Sequence, residues 1–107
     1  MKQYQVQIAP NARKDMLQIW DYIVSELQNP IAAEKLLQSI EQAIYSLQIM
    51  PDRYSPIALE PWKSKGIRRI RAKNYYIYYQ IQEETAMVSI VLVSYARRNE
   101  AAILKQI

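Results

Sequence analysis

The chain has 107 residues, a formal net charge of +4 and a pI near 9.4, with 50% of its residues hydrophobic and 22% charged. That is enough apolar material for one packed core over 1–107 and too much for a disordered chain. Cysteine and histidine are both absent, which excludes disulfides, thiolate or imidazole metal sites and Ser-His-Asp catalysis.

The first residues, Met1-Lys2-Gln3-Tyr4-Gln5-Val6, alternate polar with apolar side chains instead of forming a signal peptide's apolar run, and no stretch has the apolar length of a membrane span. The expected location is the cytoplasm. Tyr4, Val6 and Ile8 at a period of two predict a strand with one buried face, ended by Pro10-Asn11. Ala12, Met16, Ile19, Trp20, Ile23 and Leu27 then recur at helical spacing and predict a core-facing stripe that includes Trp20. Asp15, Asp21 and Glu26 fall on that helix's polar side. Asn29-Pro30 ends the first helix and begins the second, Asn29 as N-cap and Pro30 in the first turn. Ala33, Leu36, Leu37, Ile40, Ile44 and Leu47 form the second stripe, closed by Met50-Pro51. The pair reads as a helical hairpin.

Residues 51–65, with Pro51, Pro56 and Pro61, read as a surface loop running to Gly66, in which Trp62 is either core or exposed. Three strands follow. Ile67 to Arg71 and Tyr75 to Ile81 flank the connection Ala72-Lys73-Asn74, with Asn74 as the residue suited to positive φ. Met87 to Tyr95 is apolar on both faces, Val88, Ile90 and Leu92 on one and Met87, Val91 and Val93 on the other, as in a central strand. Asn99 can cap a short terminal helix from Glu100 to Ile107, whose Ala102, Ile103 and Ile107 could meet the sheet.

Lys63, Lys65, Arg68, Arg69, Arg71 and Lys73 form a run without an acidic residue. As a strand it sends Arg69 and Arg71 to one face and Arg68 to the other. Arg97 and Arg98 follow the last strand, and a meander is expected to bring them near an end of the first hairpin strand. Guanidinium groups suit phosphate oxygens; the plainer alternative is a solvated face that protects a sheet edge. Of the tyrosines, Tyr75 and Tyr79 share one face with Ile77 and Ile81, and Tyr76 and Tyr78 share the other with Gln80. At most one set is free to stack on bases.

The order strand, helical hairpin, proline loop and three-strand meander, with "DMLQIWDYI" at 15–23, "GIRRI" at 66–70, "NYYIYYQI" at 74–81 and "VSIVLVSYARRN" at 88–99, resembles the RelE/ParE superfamily of bacterial toxins across essentially the whole chain. The resemblance implies an α+β fold, an antiparallel-rich four-stranded sheet in the order β-α-α-β-β-β with a short C-terminal helix. It also implies a cognate antitoxin that neutralises the toxin, and no cofactor or metal.

RelE-like members cut mRNA on the ribosome, whereas ParE-like members inhibit DNA gyrase. Cleavage by a 2'-hydroxyl needs a base, an acid and cations for the developing charge. By resemblance, Arg69 and Arg97 supply the cations. Glu60, in "EPWK", matches a nuclease subgroup's base, or else is an ordinary loop carboxylate, and Tyr95 stands where relatives often carry histidine. Lys63, Lys65, Arg68, Arg71, Lys73 and Arg98 complete the expected phosphate-binding set. Tyr75 replaces an arginine of nuclease members, and Ile103 replaces a tyrosine of one branch. The leading expectation is an mRNA endonuclease, the alternative a gyrase inhibitor, and a plain nucleic-acid binder is the third reading.

Overall fold

The computed structural model describes residues 1–107. Strand β1 (Gln5–Ile8) leads into helix α1 (Pro10–Asp21), which widens into a π-helical turn, Tyr22–Glu26. Helix α2 (Pro30–Ser46) follows, then strands β2 (Arg68–Ala72), β3 (Tyr75–Gln82) and β4 (Met87–Tyr95), and helix α3 (Glu100–Leu104). Asn29 caps α2 as expected, its side-chain oxygen accepting from the Ala32 N–H at 3.1 Å. Asn99 does the same for α3 through Ala102 at 3.2 Å. The far end of α2 is closed from the loop, where the Arg53 guanidinium donates to the carbonyls of Ile49, at 2.8 Å, and Met50, at 3.1 Å.

The sheet order is β1-β4-β3-β2, with β1 parallel to β4 and the other pairs antiparallel. Strand β4 is interior, as its two apolar faces require. The helical hairpin covers one face, where Ala12, Ile40, Ile44 and Leu47 pack on Ile70, Ile77, Tyr79, Val88, Ile90 and Val93. The other face is covered by α3 and the proline loop, with Ile57, Trp62, Ile67, Tyr78, Leu92, Ile103 and Leu104 in contact. Trp62 is therefore core. We call these the hairpin face and the α3 face.

Several expectations need correction. The period of two in β4 is broken by a bulge: Tyr78 pairs with Leu92 but Tyr79 with Ile90, so Val91 is the extra residue. Leu92 consequently joins the α3 face and Val93 the hairpin face, instead of Leu92 following Val88 and Ile90. The positive φ of the β2–β3 turn falls on Lys73 (55°), because Ala72 already pairs with Tyr75. Trp20 is 37% exposed, since it lines the outer groove between α1 and α2 with Leu17 and Leu37 instead of reaching the sheet. Leu27, past the π turn that rotates the apolar stripe, is 57% exposed. In α3, Ile103 and Leu104 are buried and Ala102 is exposed.

Candidate functional site

Arg69 pairs across the ladder with Tyr78 on the α3 face. Its guanidinium lies over the Tyr76 ring, 4.0 Å from the centroid, and forms an ion pair with Glu100, the first residue of α3. The Tyr78 hydroxyl donates to the same carboxylate oxygen at 2.6 Å. Burial disfavours the charge on Arg69, but Glu100 and the hydrogen bonds around it prevail and raise its pKa. Burial, then the Glu100 carboxylate, drives the Tyr78 pKa strongly upward, so its hydroxyl is a donor and not a base. A groove of about 580 Å³ runs past Arg69 and Glu100 along Tyr54 to Leu59. Its one cation already has an anion.

The neighbouring basic residues divide between structural and exposed. The Arg68 guanidinium is hydrogen-bonded to the Tyr54 carbonyl. Arg71 donates through Nε to the Lys73 carbonyl at 2.8 Å, and its guanidinium lies 5.5 Å from the Tyr76 centroid. Lys63, Lys65 and Lys73 are exposed. Tyr78 is buried, so of the tyrosine pair on this face only Tyr76 is partly open.

The four candidate catalytic residues are not brought together. Tyr95 lies on the hairpin face with Val93, its ring edge-on to Tyr75 at 5.6 Å between centroids, so the sheet separates it from Arg69. Arg97 and Arg98 follow β4 at the β2–β3 turn, where the Ala96 N–H donates to the Asn74 carbonyl at 2.8 Å. Arg69 is level with Tyr78 and Leu92, so the end of β4 lies about 10 Å along the strands and, two strands over, about 10 Å across them from Arg69. Arg98 lines a hairpin-face cavity with Tyr22 and Tyr75. Arg97 and Arg98 thus reach the turn end of the first hairpin strand, as expected, but β3 lies between β2 and β4 and Arg98 opens to the face opposite Arg69, so Arg98 and Arg69 do not line one pocket. Glu60 is turned back on Ser64, accepting from its N–H at 2.9 Å and its hydroxyl at 2.8 Å. Those bonds hold its pKa below the usual carboxylate value, which weakens it as a base.

Two polar residues gain roles that the sequence reading did not assign. Glu100 is the counter-ion of Arg69; its signal was a carboxylate directly after a helix cap on an element expected to pack on the sheet. Asp15 accepts from the Val93 N–H at 3.0 Å and so ties α1 to β4, which no periodicity could reveal.

A family model described as the ParE toxin of type II toxin-antitoxin system, parDE, matches residues 6–100. Among solved structures, the chromosomal ParDE system from P. aeruginosa has a chain 18% identical with a TM-score of 0.73, the match covering 91% of this chain and 100% of that one. The RelBE2 toxin-antitoxin complex from Mycobacterium tuberculosis gives 24% identity and a TM-score of 0.61 over 89% of this chain and 93% of that one. A variant of the E. coli toxin RelE in the free state gives 18% and 0.54, with 98% of each chain covered. No curated protein matches the sequence. At these identities the structural likenesses establish a shared α+β toxin fold with a mixed four-stranded sheet. The family match, spanning nearly all of the chain, makes it a member of the ParE toxins of type II toxin-antitoxin systems.

Proposed function

We propose that this toxin acts in the cytoplasm as a non-enzymatic inhibitor of DNA gyrase, restrained by a cognate antitoxin, and that it does not cleave ribosome-bound mRNA. This reverses the order that arginine content suggested. The observation that carries it is the closure of Arg69 by Glu100 and Tyr78. A phosphate would have to displace a carboxylate already in place, in a groove that offers no second cation. Phosphodiester cleavage also needs a base for the attacking hydroxyl, an acid for the leaving oxygen and a cation for the developing charge around one phosphate. Tyr95 lies across the sheet, and Glu60 is engaged by Ser64. Inhibition by surface contact needs none of these and suits a chain whose exposed apolar residues include Leu17, Trp20, Tyr22 and Leu27.

The test is gyrase supercoiling with the purified chain, beside primer extension on mRNA from translating ribosomes. Supercoiling should be inhibited, mRNA should stay intact, and Arg69→Ala should retain the inhibition. Cleavage of mRNA that Arg69→Ala abolishes would restore the nuclease reading.

A further inference from the structure

The hairpin face carries a second feature. A cavity of about 780 Å³ opens between the π turn, the start of β3 and the end of β4, within the size range of ligand pockets, about 300 to 1,000 Å³. Tyr22, Tyr75 and Tyr95 form its walls, Leu27 is among its apolar lining, and Lys73 and Arg98 are its two charged residues. No carboxylate lines it. Neither cation has an ion-pair partner, because the two salt bridges of the chain are Lys2–Glu83 and Arg69–Glu100. A smaller adjoining cavity of about 200 Å³ shares all three tyrosines and Arg98 and contains Asp15; that carboxylate accepts from the Val93 N–H and is felt by Arg98 only through its field, without an ion pair. Burial and the nearby Tyr95 and Tyr22 push the Tyr75 pKa up, so its hydroxyl remains a proton donor.

We infer that this cavity is a docking site for an acidic peptide segment that inserts one bulky apolar side chain between Tyr22, Tyr75 and Tyr95 and sets its carboxylates against Lys73 and Arg98. The charge is complementary, and the chemistry is that of an aromatic-lined anchor pocket with an ionic rim. A peptide fits better than a free nucleotide because the apolar surface continues outward: Tyr22 and Leu27 are each 57% exposed, more than a small ligand covers. The inference is independent of whether the toxin's target is gyrase or mRNA.

The experiment is selection of a random phage-displayed peptide library against the full chain, followed by titration of the synthesised consensus peptide. Enriched peptides should combine an aromatic or branched residue with flanking Asp or Glu. Their affinity should fall about tenfold in the Lys73→Gln/Arg98→Gln double variant and about tenfold in Tyr95→Ala. Lys35→Gln/Lys105→Gln, which removes the same two charges at exposed positions outside the cavity, should leave it unchanged. The glutamine substitutions are on exposed side chains, so the test survives if Tyr95→Ala misfolds. Absence of enrichment, enrichment of basic sequences, or affinity indifferent to the double variant would overturn the proposal. So would binding of a single-stranded oligonucleotide, or self-association of the chain, that is lost in the same variants.

Discussion

The two faces of the sheet carry similar residues and treat them differently. On the α3 face an arginine and a tyrosine converge on Glu100, so charge and hydroxyl are satisfied inside the fold. On the hairpin face Tyr75, Tyr95 and Arg98 gather around a cavity that no carboxylate lines, and the neighbouring Asp15 forms no ion pair with Arg98. The sequence run richest in arginine is thus largely engaged, whereas the short pair after β4 is free. A cluster of charge identifies an interface only after its internal partners have been counted, because an arginine already paired must lose that partner before it can bind another anion.

The faces should also differ in how much of the fold each supports. Ile90→Ala empties a fully buried site between β4 and the hairpin. It should cost about 3 kcal/mol in urea unfolding and lower protection throughout the sheet. Leu104→Ala on α3 should cost less, about 2 kcal/mol, because a helix of five residues can shift to fill the space. Its hydrogen-exchange signature should be local, with loss of protection in residues 100–107 while β4 stays protected. Equal and global effects from the two would abolish the distinction between a supporting face and a covering one.

Glu100→Gln bears on the satisfied pair itself. Arg69 and Glu100 are about a third exposed, so solvent screening limits the stability loss to about 1 kcal/mol. The larger consequence is a freed guanidinium. The variant should elute from heparin at higher salt than Glu26→Gln, which changes net charge equally at an exposed position. Identical elution would mean that Arg69 was available to anions all along and that the α3 face is not closed.

Much of this architecture was legible, and the failures have identifiable causes. Asn29-Pro30 and Asn99 declared two helix starts through local capping chemistry, and the alternation in β3 assigned Ile77 and Tyr79 to one face and Tyr78 to the other. Local rules suffice where the stabilising partner is a few residues away. The β4 bulge is set by how β3 pairs with it, so Leu92 and Val93 could not be assigned from period alone. Trp20 sits on an apolar stripe wider than the surface available to cover it. At the candidate site the individual cations were legible, but their fates were not. Glu100 reaches Arg69 from 31 positions away, and Arg98 is separated from it by a strand. Those are tertiary facts without a sequence period.

The smallest expected effect, that of Asp15→Asn, compares the carboxylates of the two faces. Glu100 meets a cation, whereas Asp15 meets the Val93 N–H, with Arg98 and Lys14 contributing only through their fields. Burial is the largest influence on Asp15 and raises its pKa, while the Val93 N–H works in the opposite direction. With the folded pKa above the unfolded one, the native state holds its proton more tightly. Any contribution favouring the native state is therefore present below the unfolded pKa, about 3.9, and is lost as pH rises through the folded value. Asp15→Asn keeps an oxygen to accept from Val93 and removes the ionisation. It should match the parent in acid and exceed it at neutral pH, by less than about 1 kcal/mol because the site is only partly buried. Asp15→Ala removes the acceptor as well and should lose about 1 to 2 kcal/mol at both pH values. Urea unfolding across a pH series separates the cases. If Asn proves less stable than Asp at neutral pH, the ionised carboxylate outweighs its burial, and the two faces then hold their acids by equally favourable means.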